Sequence, residues 1–199
     1  MMELRRQAVH FSGIFLALAA WASRELVAGF CLAIGVFLFA YGGAIRAHRK
    51  APMLPNGIEA SFRNLLLSFE RSRVHWPFTG AIWFFISVAL AVILLPVATA
   101  SATIFILSVG DGLSTVVGRA FGRHKLWGKS MEGSLAQFAG GLSAALFVPL
   151  PVAAAASFVA ALAELGTGLP ALQKFRRKGL VDDNWVVPLA AAAAMLQLA

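Results

Sequence analysis

The feature that most constrains this chain is a series of apolar runs, most of them close to the roughly 20 residues that a membrane-spanning helix needs, with the first and last short. They cover about Ala8–Ser23, Leu26–Ile45, Thr79–Ala98, Thr99–Gly118, Ser134–Pro149, Val152–Pro170 and Trp185–Ala199. None alternates in polarity, as the strands of a membrane barrel would, so helices are the remaining way to satisfy the backbone in lipid. With 59% hydrophobic and 13% charged residues, the chain exceeds what a soluble domain of 199 residues requires. The expectation is an all-α, polytopic transmembrane bundle of about seven spans, integral to the membrane and folded as a single domain over residues 1–199.

The net charge of +8 would suit nucleic acid if it lay on one surface. It lies instead in the short loops, as in membrane topology, so no nucleic-acid partner is expected. Arg5 and Arg6 precede the first run, and Arg46, Arg49 and Lys50 follow the second. Arg119 to Lys129 follow the fourth, and Lys174, Arg176, Arg177 and Lys178 follow the sixth. With the N-terminus cytoplasmic and seven crossings, every Lys and Arg except Arg24 falls on the cytoplasmic side. The first run lacks a cleavage region and is expected to remain as a helix. Cys31, the single cysteine, lies in an apolar run and reads as a small buried hydrophobe.

Residues 51–78 do not form a span. Pro52, Pro55, Asn56 and Gly57 mark turns, and Phe62, Leu65, Leu66 and Phe69 then recur at helical spacing among Arg63, Glu70, Arg71 and Arg73. This predicts an amphipathic helix in the cytoplasmic interface, with a plain connector as the alternative.

The chemistry concentrates in residues 108–134, SVGDGLSTVVGRAFGRHKLWGKSMEGS. Asp111 precedes Arg119 by eight residues, which puts it about 12 Å inward along a helix. An ionisable group at that depth points to function, or else to a structural ion pair. Gly110 and Gly112 permit a break that exposes backbone groups, and Ser114 or Thr115, with Gly118, shares the helical face of Asp111. Gly118, Gly122, Gly128 and Gly133 interleave with Arg119, Arg123, Lys125 and Lys129. Glycines let a backbone approach phosphates, and the cations neutralise them. Glu132 stands just before Ser134, whose helix opens with free amides suited to an anion.

Further acidic positions fall at the same predicted membrane face. Asp182, Asp183 and Asn184 stand before the last run, where one of them suffices as a helix cap and the others remain for a metal or nucleotide. Glu164 interrupts an apolar run as a second ligand or an interface charge, and His10, four residues after Arg6, is a structural histidine or a substrate contact. Hard carboxylate oxygens suit Mg²⁺ rather than zinc. The combination predicts nucleotide-dependent transfer to a lipid that reaches the site from the bilayer.

At these residues the chain resembles the CTP-dependent lipid kinases: dolichol kinase, phytol kinase and CTP-dependent diacylglycerol kinase. The family's central signature looks like Gly110-Asp111-Gly112, Gly118-Arg119, Gly122, Lys125 and Lys129-Ser130-Met131-Glu132-Gly133-Ser134. Its C-terminal motif looks like Asp182-Asp183-Asn184-Trp185-Val186-Val187-Pro188. Its N-terminal motif looks like Arg6-Gln7-Ala8-Val9-His10, with Gln7 where the family has lysine. The resemblance implies transfer of the γ-phosphoryl group of CTP to the hydroxyl of a polyprenol, a phytol-like isoprenoid alcohol or diacylglycerol. It implies Mg²⁺ on Asp111 and Asp183, helped by Glu164 or Asp182. Arg119, Lys125 and Lys129 would neutralise the triphosphate, and Gly112 and Gly133 would give backbone access. Asp111 or Glu132 would take the hydroxyl proton, with the active site at the cytoplasmic face. The related phosphatidate cytidylyltransferases, and a non-catalytic transporter or scaffold, are the alternatives.

Overall fold

The computed structural model describes residues 2–47, 57–67 and 76–198, with side chains from residue 7 onward and excluding those of 58 and 67. Ten α-helices account for nearly all of it: α1 Met2–Ala19, α2 Arg24–Ala47, α3 Ile58–Leu67, α4 Thr79–Leu94, α5 Val97–Phe105, α6 Gly112–Ala120, α7 Met131–Gly141, α8 Leu150–Gly166, α9 Gln173–Arg177 and α10 Asp183–Leu198. Among the described residues the only strands are β1 (Lys125–Leu126) and β2 (Lys129–Ser130), an antiparallel hairpin pairing Lys125 with Ser130 and Leu126 with Lys129.

All seven apolar runs are helical for most of their length, but the helices differ in reach. By length and composition α2 can cross a membrane, and so can Val97–Ala120, which joins α5 and α6. A third joins them if α8 and the Pro170–Arg177 segment, bent by 69° from each other, count as one span. Gln7–Ala19 and Thr79–Leu94 are apolar but shorter. Two boundaries moved for identifiable reasons. Pro96 fixes its own φ at −53°, so α4 stops at Leu94 and α5 starts at Val97, ahead of the expected join after Ala98. The fifth run loses α-helical geometry at Leu142 and finishes as a 3₁₀ turn to Leu146.

The run from α5 to α6 is the centre of the bundle, with 72% of its most apolar window buried, against 33% for α2. Its middle, Ile106–Asp111, is a π-helical turn. Helices α1, α7, α8 and α10 all contact this turn, while α2 packs outside on α4. The main core joins Phe84, Val88, Val92, Ile104, Ile106, Leu107, Val187 and Met195 with alanines from α5, α8 and α10. Cys31 is fully buried within it, as its apolar surroundings predict. Within the expected interfacial segment, α3 lies against the end of α2: Phe62 meets Phe37 and Tyr41, and the Tyr41 hydroxyl donates to Glu59 Oε1 at 3.2 Å. Phe69, Glu70, Arg71 and Arg73 fall outside the described residues.

The two ends of the bundle are distinguished by charge. At one end the Arg24 guanidinium donates to the carbonyls of Val92 (2.5 Å) and Leu95 (2.7 Å), closing the C-terminus of α4. At the other end of α4, about 24 Å away for a 16-residue helix, the Trp83 indole donates to the Gly179 carbonyl. The basic segments after α6 and α8 are gathered at that second end.

The glycines of the central segment serve helix contact. A Cβ at Gly133 would stand 2.8 Å from Ser130 Oγ, 3.0 Å from the Ser114 carbonyl and 3.3 Å from Gly118 Cα. At Gly110 it would meet the Gln137 side chain at 2.7 Å, and at Gly122 it would run into the Gly118 carbonyl. Small residues thus bring α6 and α7 backbone to backbone. Gly133→Ala is expected to cost about 1–3 kcal/mol by overpacking this seam. Gly29→Ala in α2, where nothing lies within 4 Å, should stabilise by up to about 1 kcal/mol through helix propensity. Thermal unfolding in detergent checks both, and equal midpoints for the two variants would contradict the close approach.

Candidate functional site

Asp111 ends the π-helical turn and is buried. A π turn inserts an extra residue per helical turn and rotates the residues after it, a distortion that recurs at functional positions. Glu164 lies near the C-terminal end of α8 and Asp183 in the first turn of α10; both are buried. One carboxylate oxygen from each of Asp111, Glu164 and Asp183 lies within 4.8 Å of the others. Opposite oxygen ligands of Mg²⁺ stand about 4.2 Å apart, so this all-oxygen donor set is of a size and chemistry that fits a hard divalent cation.

The cluster is held by a dense set of donors. The Lys129 ammonium is paired with Glu164 Oε1 and lies 2.8 Å from Asp183 Oδ2. Ser114 and Ser134 hydroxyls reach Glu164 at 3.3 Å and 3.4 Å. Thr167 Oγ1 lies 2.5 Å from Asp183 Oδ1 and 2.7 Å from the Glu164 carbonyl, so its one proton serves one acceptor at a time. Arg176, on α9, approaches Asp183 Oδ2 at 4.0 Å. On the inner side, His10 Nδ1 is 3.6 Å from Asp111 Oδ2, and the His10 ring packs edge-on against Phe84. Burial opposes the charge on Lys129, but the carboxylates of Asp183, Glu164 and Asp111 outweigh it and raise its pKa above the ordinary lysine value.

Above the cluster opens a cleft of about 320 Å³. Arg119, Lys125, Lys129 and Arg176 supply its cations, and Ser114, Thr115 and Ser130 supply hydroxyls. Ser130 caps α7, its Oγ accepting from the Gly133 amide at 3.1 Å. The hairpin that carries Lys129 turns through Trp127 (φ 52°) and Gly128 (φ 82°), both left-handed.

The structure brings together Asp111, Ser114, Gly118, Arg119, Lys125, Lys129, Ser130, Gly133, Glu164 and Asp183 from among the predicted site residues. Others are placed elsewhere. Glu132 faces His124 at 2.7 Å and accepts from the His124 amide at 3.1 Å, bracing the hairpin outside the carboxylate cluster. Asp182 is the cap of α10: its Oδ1 accepts from the Asn184 amide (3.0 Å) and side chain (2.7 Å), which leaves Asp183 to turn inward. Gly110 lies in the helix seam against Gln137, Gly122 follows α6 and faces the Gly118 carbonyl and Ser130, and Gly112 faces the Phe11 ring. The Arg6 side chain is outside the described residues.

Two contributors are not evident from the sequence. Thr167 is three residues after Glu164 and so on its helical face. Arg176 reads in the sequence only as one of the topogenic charges. No match was found in comparisons with family models, curated proteins or solved structures.

Glu132 gives this site a pH signature outside the apolar runs. Hydrogen bonds from its own amide, then from the His124 ring and the neighbouring amides, lower its pKa from 4.5 to about 2. A depressed carboxyl stabilises the hairpin above pH 4.5 and ceases to do so as pH falls towards about 2. A ¹³C-carboxyl titration should therefore place the Glu132 midpoint near 2, and a midpoint near 4.5 would show that the hairpin does not hold the ionised form.

Proposed function

We propose that the protein is a CTP-dependent lipid kinase, transferring the γ-phosphoryl group of CTP to a membrane lipid alcohol at the cytoplasmic face of a seven-span bundle. The observation that carries this reading is the convergence of Asp111, Glu164 and Asp183 beneath one cleft lined by Arg119, Lys125, Lys129 and Arg176. Carboxylates for a divalent cation, next to cations for a polyphosphate, are the two parts phosphoryl transfer needs. The resemblance of Ser108–Ser134 and Asp182–Pro188 to the lipid kinases supports CTP as the donor. The polytopic arrangement is supported by seven helical apolar runs and by the gathering of basic segments at the end of the bundle away from Arg24.

Asp111, Glu164 and Asp183 would hold Mg²⁺, which would neutralise charge on the transferred phosphoryl group. Arg119, Lys125 and Arg176 bind the phosphate oxygens, and the hydroxyls of Ser114 and Thr115 orient them. The acceptor is a polyprenol, a phytol-like alcohol or diacylglycerol, whose tail stays in the bilayer. Its hydroxyl oxygen bonds to the γ-phosphorus as the bond to the β,γ-bridging oxygen breaks, releasing CDP. We assign the hydroxyl proton to the Asp111 carboxylate oxygen that the cation would leave free, because Glu132 is turned towards His124.

Purified protein given γ-labelled CTP, Mg²⁺ and a panel of lipid alcohols should yield labelled lipid phosphate and CDP. Release of pyrophosphate would instead indicate cytidylyl transfer. Asp183→Asn should lower turnover by at least about a hundredfold, or roughly 2.7 kcal/mol. Asp182→Asn should leave it nearly unchanged, because Asn caps a helix as well as Asp does. Equal effects of the two would remove Asp183 from the site. In the cell, reporter fusions after Ala199 should be active outside the cytoplasm, and activity inside alone would reject seven crossings.

A further inference from the structure

We propose that Lys129 is a displaceable counter-ion: its ammonium holds the carboxylate cluster together until a divalent cation enters, then swings into the cleft and becomes a phosphate ligand. The inference rests on the divalent-cation site proposed above and goes beyond it by making cation entry the event that completes the anion site.

Space and charge carry the argument. The ammonium is bonded to Glu164 Oε1 and to Asp183 Oδ2 (2.8 Å), so it sits on two of the three carboxylates that a shared cation would use. Two cations cannot occupy that position, so the ammonium and a metal are alternatives. Asp183 keeps a positive neighbour in either state, since Arg176 stands 4.0 Å away. Lys129 also has somewhere to go: its side chain is 16% exposed and borders the cleft beside Arg119 and Lys125.

The movement is confined to the side chain. The backbone of Lys129 is fixed by pairing with Leu126 and by the left-handed turn before it. The hairpin also rests on the end of α8, where a Cβ at Gly168 would stand 2.5 Å from the Trp127 carbonyl and 3.1 Å from Lys129 Cγ. What remains mobile is the flexible four-carbon stem. Glu132, paired with His124 on the far side of the hairpin, does not compete for the ammonium. By linkage, a metal that must expel Lys129 binds more weakly alone, and an anion that captures the freed ammonium strengthens it.

The test uses the full-length wild-type chain and Mn²⁺ alone, without nucleotide. Reductive methylation read by mass spectrometry reports how accessible each lysine amine is. Lys129 should be protected in metal-free protein and should label several-fold faster once Mn²⁺ is added, with exposed Lys174 and Lys178 unchanged. Lys129→Met should bind Mn²⁺ tighter by about 5–150-fold, the usual range for coupled ligands. Asp183→Asn should abolish that binding. If Mn²⁺ binds in an Asp183-dependent way but Lys129 labelling does not change, or if Lys129→Met binds more weakly, the counter-ion role is wrong while the metal site stands. If Mn²⁺ does not bind the carboxylates at all, both readings fall. The labelling needs no variant, so misfolding of Lys129→Met cannot shelter the proposal.

Discussion

Three carboxylates buried within reach of one another are the constraint around which this protein is arranged. The chain has only nine acidic residues, and three of them are collected at one point next to an apolar bundle. Removing each charge from water costs several kcal/mol, and their mutual repulsion adds to that cost. The gathering is tolerable only with a cation among them and hydroxyls around them. Lys129 supplies the first, and Ser114, Ser134 and Thr167 supply the second. Each comes from a different part of the chain, so the cluster ties together the central helix, α7, α8, α10 and the hairpin.

The architecture reads as the means of delivering those groups. The π turn sets the direction of Asp111, and glycine contacts draw α7 against α6 so that Ser134 and the hairpin arrive beside it. The 69° bend after α8 turns α9 back across the end of the bundle and brings Arg176 towards Asp183. Asp182 spends its side chain on the start of α10, which frees its neighbour. Two adjacent aspartates thus carry separate tasks, one local and one long-range.

Much of this was legible from the sequence, and the exceptions share a cause. Apolar runs announce helices because burial in lipid leaves no other way to pair the backbone. Asp111 and Glu164 were legible as candidates because a charge in an apolar run has no cheap explanation, and Asp183 because three capping residues stand where one suffices. Glycine spacing was ambiguous, because a loop that approaches phosphates and a seam that brings helices together ask for the same residue. Here Gly110 and Gly133 meet Gln137 and Ser114, contacts that no local pattern encodes. Glu132 lost its predicted place to His124, eight residues away, across a hairpin too short to show as alternation. Arg176 was hidden among charges that membrane topology already accounted for.

The charge count bears on the proposal that Lys129 serves both halves of the site. Lys129 and Arg176 bring two positive charges to the three carboxylates. On the proposed exchange, a divalent cation in place of the ammonium would raise the local charge by a single unit. A single unit is a modest perturbation for a bundle whose neighbouring hydroxyls can reorient. On the same proposal the freed ammonium would bring its charge further into the cleft, where Arg119 and Lys125 already stand. A fixed metal with a fixed lysine would put both charges in one cavity at once. A fixed lysine without exchange would leave the carboxylates neutralised and closed to any other cation. A lysine on a short hairpin, bonded to the carboxylates and bordering the cleft, is placed so that on this proposal one charge would serve two positions in turn.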